Sequence, residues 1–376
     1  MTDVSLLPTG TVSPRVSAGR AVGIFLFDVA ETIDLGAIAK LIREPVAHSR
    51  LAPKSATPAY VQYERPPVSF DGGVVAAAGF DQWAVRFRVY DYGVISVAFS
   101  RPLSGDWSQL VAEGHSLVEN PNLEQLAEEM CRKTLERMKT ALVRPRQSFL
   151  GEDYLVFIVS RLEPSMTADE LVQTHGDDIA LMLRGESSPL SRQEQNSILQ
   201  HTISYLADDL VIPSWNAAFV LDTPSGADTT TEILEFANSQ LLQFRYYDQL
   251  LDDELASIYA RLQHPRWYEQ WIGSRYARAA RHVHALFIDV NELTDRTENA
   301  LKFVGDLYAA RLYTIVTDRL GLQAWKANVS EKLRTLDDVY RFAVEQSSMA
   351  RGELMELAIV LILVLELILV FLGVMS

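Results

Sequence analysis

The stretch from Leu354 to Met375 is 22 residues of almost unbroken Leu, Ile and Val. As a helix it measures roughly 33 Å, about the thickness of a bilayer's hydrocarbon core. Helices of that length in soluble cores carry a polar face, and this run shows none. It predicts one C-terminal transmembrane helix over 354–375, followed only by Ser376. Everything upstream is then constrained to be a body held by its tail, single-pass, with the N-terminal part on the cytoplasmic side and the lipid bilayer as a partner. Residues 1–19 hold Pro8, Gly10, Pro14 and Gly19 but no apolar run, so they read as a disordered leader without a secretory signal.

Two carboxylates interrupt the run. Glu356 lies near its start, with Arg351 little more than one turn before it, and Glu366 falls near its middle. A carboxylate at mid-membrane costs several kcal/mol unless it is protonated, paired or facing water. Glu366 therefore predicts a neighbouring helix, either as a hydrogen-bonding assembly contact or as one member of a ring lining an ion conduit. Both readings imply a homo-oligomer.

A length of 376 residues allows two domains, or one domain with a helical extension. The net charge of −15 argues against general nucleic-acid binding, which needs basic surface to replace phosphate counterions. The same charge argues against electrostatic adhesion to anionic lipid. Cys131 is the single cysteine, so neither an internal disulfide nor a cysteine zinc cluster can form.

Between Arg20 and about Leu221 the pattern alternates between strand and helix signals. Ala21–Phe27 reads as a buried strand, and Ile33 to Ile42 has helical spacing. Val61–Tyr63, Val74–Ala78, Trp83–Tyr90 and Val94–Phe99 read as short strands, the last two paired as a hairpin about Asp91, Tyr92 and Gly93. Asn120 and Pro121 open a helix expected to reach about Val143. Tyr154–Val159 reads as a strand, Thr167–Leu183 and Ser191–His201 as helices, and Ala217–Leu221 as a closing strand. Beyond Thr223-Pro224-Ser225-Gly226, apolar residues recur at three and four: Ile233, Phe236, Ala237, Leu241 and Phe244, and later Val329, Leu333, Leu336 and Tyr340. The fold expected is an α+β N-terminal domain over 20–225, then a long α-helical, coiled-coil stalk over 226–350, then the transmembrane helix.

Catalytic constellations are scarce: no GxSxG, HExxH, Walker loop or GxGxxG is present, so neither an enzyme activity nor a cofactor is expected. Gly72-Gly73 reads as a turn. His282 and His284 diverge on a helix, a poor metal geometry even with Asp289 further along. Asp208-Asp209 and Asp252-Asp253-Glu254 read as solvated surface rather than cation sites, and no metal is expected. One stretch is locally basic and aromatic: Arg266, Trp267, Trp271, Arg275, Arg278 and Arg281, with Tyr268 and Tyr276 among them. It is a candidate patch for RNA, the ribosome or a lipid headgroup. The alternative is helix packing with arginines paired to carboxylates.

Three features together resemble a known family. Val89–Phe99 places Gly93 after an aromatic and before a valine-rich strand, Leu221-Asp222-Thr223-Pro224 resembles a Leu-Asp-x-Pro motif, and the terminal run carries two glutamates ten residues apart. The whole resembles the required-for-meiotic-nuclear-division family over about residues 20 to 372. That resemblance implies membrane anchoring and, in a mitochondrial member, association with inner-membrane complexes that support translation; it implies no enzymatic activity. Ala98-Phe99-Ser100-Arg101 departs from the pattern, where a Trp and acidic residues are expected. The function expected is a non-enzymatic, membrane-anchored oligomeric scaffold that recruits a protein partner, with the ion conduit and the RNA tether as alternatives.

Overall fold

Period-two alternation builds one large sheet. The computed structural model describes residues 13–41, 47–48, 66–77, 79–118, 120–263, 283–295 and 307–371. It divides into two units, Met1–Gln243 with Thr297–Gln323, and Phe244–Arg296 with Ala324–Ser376.

In the first unit the strands are β1 (Arg15–Ile33), β2 (Ala47–His48), β3 (Val68–Ala77), β4 (Phe80–Val89), β5 (Val94–Asp106), β6 (Leu142–Glu163), β7 (Leu210–Pro213) and β8 (Ala217–Leu221). They form one sheet in the order β2-β3-β4-β5-β1-β6-β8-β7. Every adjacent pair is antiparallel except β6 and β8, which run parallel. The chain between those two carries α4 (Ala168–Arg184), α5 (Arg192–Leu199) and β7. This single parallel pair makes the otherwise antiparallel sheet mixed.

One face of the sheet is apolar. Phe25 and Phe27 of β1, Trp83, Val85 and Phe87 of β4, Ile95, Val97 and Phe99 of β5, Leu155 and Phe157 of β6 and Phe219 of β8 join one core cluster. The helices α1 (Leu35–Leu41), α2 (Trp107–Val118), α3 (Pro121–Met138), α4 and α5 also contribute to that cluster, with Leu110, Leu123, Leu171 and Ile179 among their residues. Local signals set where these helices begin. Asn120 caps α3 by accepting from the Asn122 amide at 3.0 Å, ahead of Pro121. Thr167 and Glu170 form a reciprocal capping box on α4, and Gly185 closes it with a left-handed φ of 69°. Gly93, at φ 87° in the β4–β5 hairpin, is required twice: a Cβ there would lie 1.7 Å from the Ala30 carbonyl oxygen.

Several boundaries move for tertiary reasons. β1 begins at Arg15, inside the expected leader, because Arg15 pairs with both Asp106 and Glu163. α3 stops at Met138, and Leu142 and Val143 instead pair with Ile33 and Thr32 of β1. Gly72 and Gly73 sit in a bulge within β3, where Asp71 accepts the Gly73 amide at 2.8 Å, rather than in a turn. Val61–Tyr63 lies outside the described residues.

Helix α6 (Pro224–Gln263) opens in the first unit and is buried on all sides from Ile233 to Phe244, apart from partly exposed positions before it. Helix α8 (Leu307–Arg319) lies against β7, and its Tyr313 ring sits 5.9 Å from Phe236 of α6. The second unit is helical. It holds the C-terminal half of α6, a helix α7 over 283–295, and most of α9 (Leu322–Phe371). Buried residues recur at three and four along α7 (Val283, Leu286, Val290, Leu293) and α9 (Val329, Leu333, Leu336, Tyr340). Lys332 of α9 meets Asp248 and Asp252 of α6, each at 2.7 Å. Burial works against the Lys332 charge, yet the two carboxylates overcome it and hold its pKa above the ordinary value.

The expected C-terminal transmembrane helix is corrected by this structure. Among the described residues no helix is long and apolar enough to cross a membrane. Leu354–Phe371 is the end of the 50-residue α9 rather than a separate element. Glu356 and Glu366 both lie within it. The tail anchor and the single-pass location with a cytoplasmic body fall with it.

Candidate functional site

The second face of the sheet is chemically different from the first. Registered pairs place side chains in rows across β3, β4, β5 and β1. One row runs Asp71, Arg86, Ala98, Ile24, and the next runs Ser69, Arg88, Ser96, Leu26. A third runs Val74, Ala84, Ser100, Val22. Arginines and small residues thus replace the aromatic residues that alternate with them on β4.

Helix α6 covers this face with a matching stripe. Asp228, Glu232, Glu235, Ser239 and Gln243 recur at three and four and point to one side. Arg88 is buried and reaches Glu235 at 2.6 Å, Glu232 at 2.7 Å and the Ser69 hydroxyl at 3.3 Å. Glu235 is fully buried, and the same oxygen that binds Arg88 lies 3.6 Å from Arg86. Tyr92 and Ser239 share a hydrogen bond of 2.7 Å, and Arg20 pairs with Asp228. Such a network stabilises only while every charge has its partner, because a lone buried charge costs far more than the pair gains.

At the far end of the stripe, fully buried Asp28 faces Arg146 Nε at 3.5 Å. Burial raises the Asp28 pKa to about 6, against the opposing effects of Arg146 and Gln243. The carboxyl therefore titrates within the physiological range, unlike an ordinary aspartate.

Where the floor residues are small, the α6 face leaves a cavity of about 420 Å³. Val22, Ala84, Ala98 and Ser100 form its floor; Arg20, Arg86, Asp71, Asp228 and Thr231 stand around it. Its volume falls within the range of small-molecule sites. A second cavity of about 600 Å³ lies over the stacked Phe70 and Phe87 rings, beside Met130, Lys133 and Arg137 of α3.

The residues singled out by sequence fall elsewhere. Glu356 and Glu366 are exposed on α9, in a run where Met355, Ile359–Leu365, Leu367 and Ile368 are each 48–68% exposed. Arg266, Trp267, Trp271, Arg275, Arg278 and Arg281 lie outside the described residues, as does His282. His284 is exposed on α7. Asp209 is buried rather than solvated, and accepts the amides of Tyr205 and Leu206 at 2.7 and 2.9 Å to close a loop. Asp252 holds Lys332. Among the described residues no group of three or more His, Cys, Asp and Glu is placed to hold a metal ion. Cys131 is buried in the apolar cluster, where burial pushes its thiol far above the range of a nucleophile. The site residues Arg86, Arg88 and Glu235 escape a motif search, yet two signals mark them: arginines alternating with aromatic residues on β4, and a polar stripe of helical period on α6.

Comparison with known proteins agrees with the extent of the sheet. An uncharacterized protein, MJ0711, of Methanocaldococcus jannaschii is 24% identical over 201 residues, covering 54% of this chain and 61% of that protein. The chain thus matches less than two thirds of that relative's length. No solved structure matches. A family model described as "Uncharacterized protein MJ0711, N-terminal domain" matches residues 18–228, the eight strands and the opening of α6. This overturns the resemblance to the required-for-meiotic-nuclear-division family, whose weak three-part pattern rested heavily on the terminal apolar run. With more than half of its length matched, the chain belongs to the MJ0711 N-terminal domain family.

Proposed function

We propose that the chain is a non-enzymatic, self-associating scaffold whose helical unit supplies the assembly contact and whose sheet unit receives a protein partner. The observation that carries this reading is the exposed apolar run from Met355 to Ile368 on α9. Monomeric proteins rarely leave a contiguous apolar surface of that extent uncovered. Glu356 and Glu366 are separated by roughly 80° around the helix at 3.6 residues per turn, so they share one side. The remaining apolar sector is far wider than the roughly 100° stripe that a single packed neighbour covers. The assembly therefore has three or more members, with the glutamates on its outer side. The ion conduit required a membrane-crossing helix and is not carried forward.

The test is the mass of the full-length protein by light scattering. Leu361 and Leu365 lie opposite the glutamates, whereas Leu363 lies between them. Leu361→Asp with Leu365→Asp should dissolve a defined multimer, and Leu363→Asp should leave it intact. A monomer at every concentration, or association only with added lipid vesicles, would overturn the reading.

A further inference from the structure

The cavity between the sheet and α6 holds an imbalance that the assembly reading does not use. Arg20 and Arg86 both line it, and the Nε–H of each is buried without a hydrogen-bond partner. Arg20 at least has Asp228 as a counterion. Arg86 does not have one of its own: the Glu235 oxygen 3.6 Å away is already bound at 2.6 Å by Arg88. The Arg20 and Arg86 side chains are 29% and 42% exposed, so an anion entering the cavity would replace water at two guanidinium donors that no protein oxygen takes. A guanidinium fork is shaped for a planar, two-oxygen anion.

The rest of the lining narrows the ligand. Val22, Ala84 and Ala98 are apolar and short, which leaves room for a hydrocarbon body over the strands. Asp71 and Asp228 stand on the same cavity, so a dianion would meet two like charges. We propose that this cavity binds a small monocarboxylic acid, its carboxylate held by Arg86 with Arg20 beside it, and its short apolar chain lying over Val22, Ala84 and Ala98. The site is independent of α9 and of self-association.

The experiment uses the full-length protein, titrated calorimetrically with butyrate, hexanoate and octanoate, and with hexanamide and inorganic phosphate as controls. Saturable binding of at least one acid is expected, with neither control competing. Arg86→Gln should weaken it by about tenfold or more, the scale of a charge-assisted hydrogen bond. Ala98→Leu fills the floor without touching a charge and should weaken it as well, which guards against a folding defect in the arginine variant. A peptide ending in a free carboxylate separates two sources: displacement of hexanoate by the peptide assigns the carboxylate to a protein terminus, and its failure to compete assigns it to a free acid. Undetectable binding of every acid, equal binding of hexanamide or phosphate, or unchanged affinity in both variants would overturn the proposal.

Discussion

The two faces of the sheet are built from the same strands by different physics. On β4, Trp83, Val85, Phe87 and Val89 enter the apolar cluster, while Ala84, Arg86 and Arg88 face α6. The first face is held by shape and area: rings and branched side chains exclude water and interlock, and stability scales with the surface removed from it. The second is held by pairing. Arg88 with Glu235 and Glu232, and Tyr92 with Ser239, contribute little net energy over water but impose a large penalty on any arrangement that separates them. An apolar face tolerates a slide; a paired face specifies one register for the helix that covers it.

That contrast breaks most visibly under paired substitutions. Phe157→Ala on the apolar face and Arg88→Leu on the polar face should each lower stability by about 3–5 kcal/mol, one through a cavity and the other through a stranded Glu235. Only the second should be rescued: adding Glu235→Leu to Arg88→Leu should return most of the loss, as read from urea unfolding midpoints. If the double variant is as unstable as the single, the polar face is held by shape after all.

Asp28 provides the next largest effect. Its folded pKa, about 6, lies above the ordinary value of 3.8. A raised acid binds its proton more tightly in the folded state, so this group's contribution is fully favourable below about pH 4 and is lost as pH rises through 6. The difference amounts to about 3 kcal/mol across the window. Asp28→Asn should flatten the fall in stability between those pH values, and an unchanged profile would show that the titration belongs to another group. The smallest effect sharpens the same comparison. Tyr92→Phe removes one hydrogen bond on the polar face and should cost about 1 kcal/mol. Ile95→Val on the other face should cost a similar 0.5–1.5 kcal/mol, roughly.

Much of the secondary structure was legible because its causes are local. Asn120-Pro121, Thr167 with Glu170, and Gly93 between two valine-rich stretches each act over a few residues, and each sits where the spacing predicts. The candidate site was less legible. Arg86 and Arg88 alternate with buried aromatic residues, and such a pattern ordinarily marks a face turned to water. Nothing near them in the chain indicates that a helix well over a hundred residues later supplies Glu232 and Glu235. The acidic pair Asp208-Asp209 misleads for the same reason, since Asp209 acts on amides that only a closed loop brings within reach. At the C-terminal end, the run of Leu, Ile and Val around Glu356 and Glu366 points to a membrane, whereas among the described residues no helix is long and apolar enough to cross one.

The sequence by itself determined which residues alternate, where several helices start, and that a turn at Asp91, Tyr92 and Gly93 stands between β4 and β5. These depend on side-chain size, backbone freedom and hydrogen bonds between near neighbours. The tertiary structure alone decided that Arg88 would be buried, that Asp28 would lose its water, and that short side chains at Ala84, Ala98 and Ser100 would line a cavity beside α6. Those outcomes depend on which distant segment covers the sheet, because desolvation and charge pairing are properties of the space between elements.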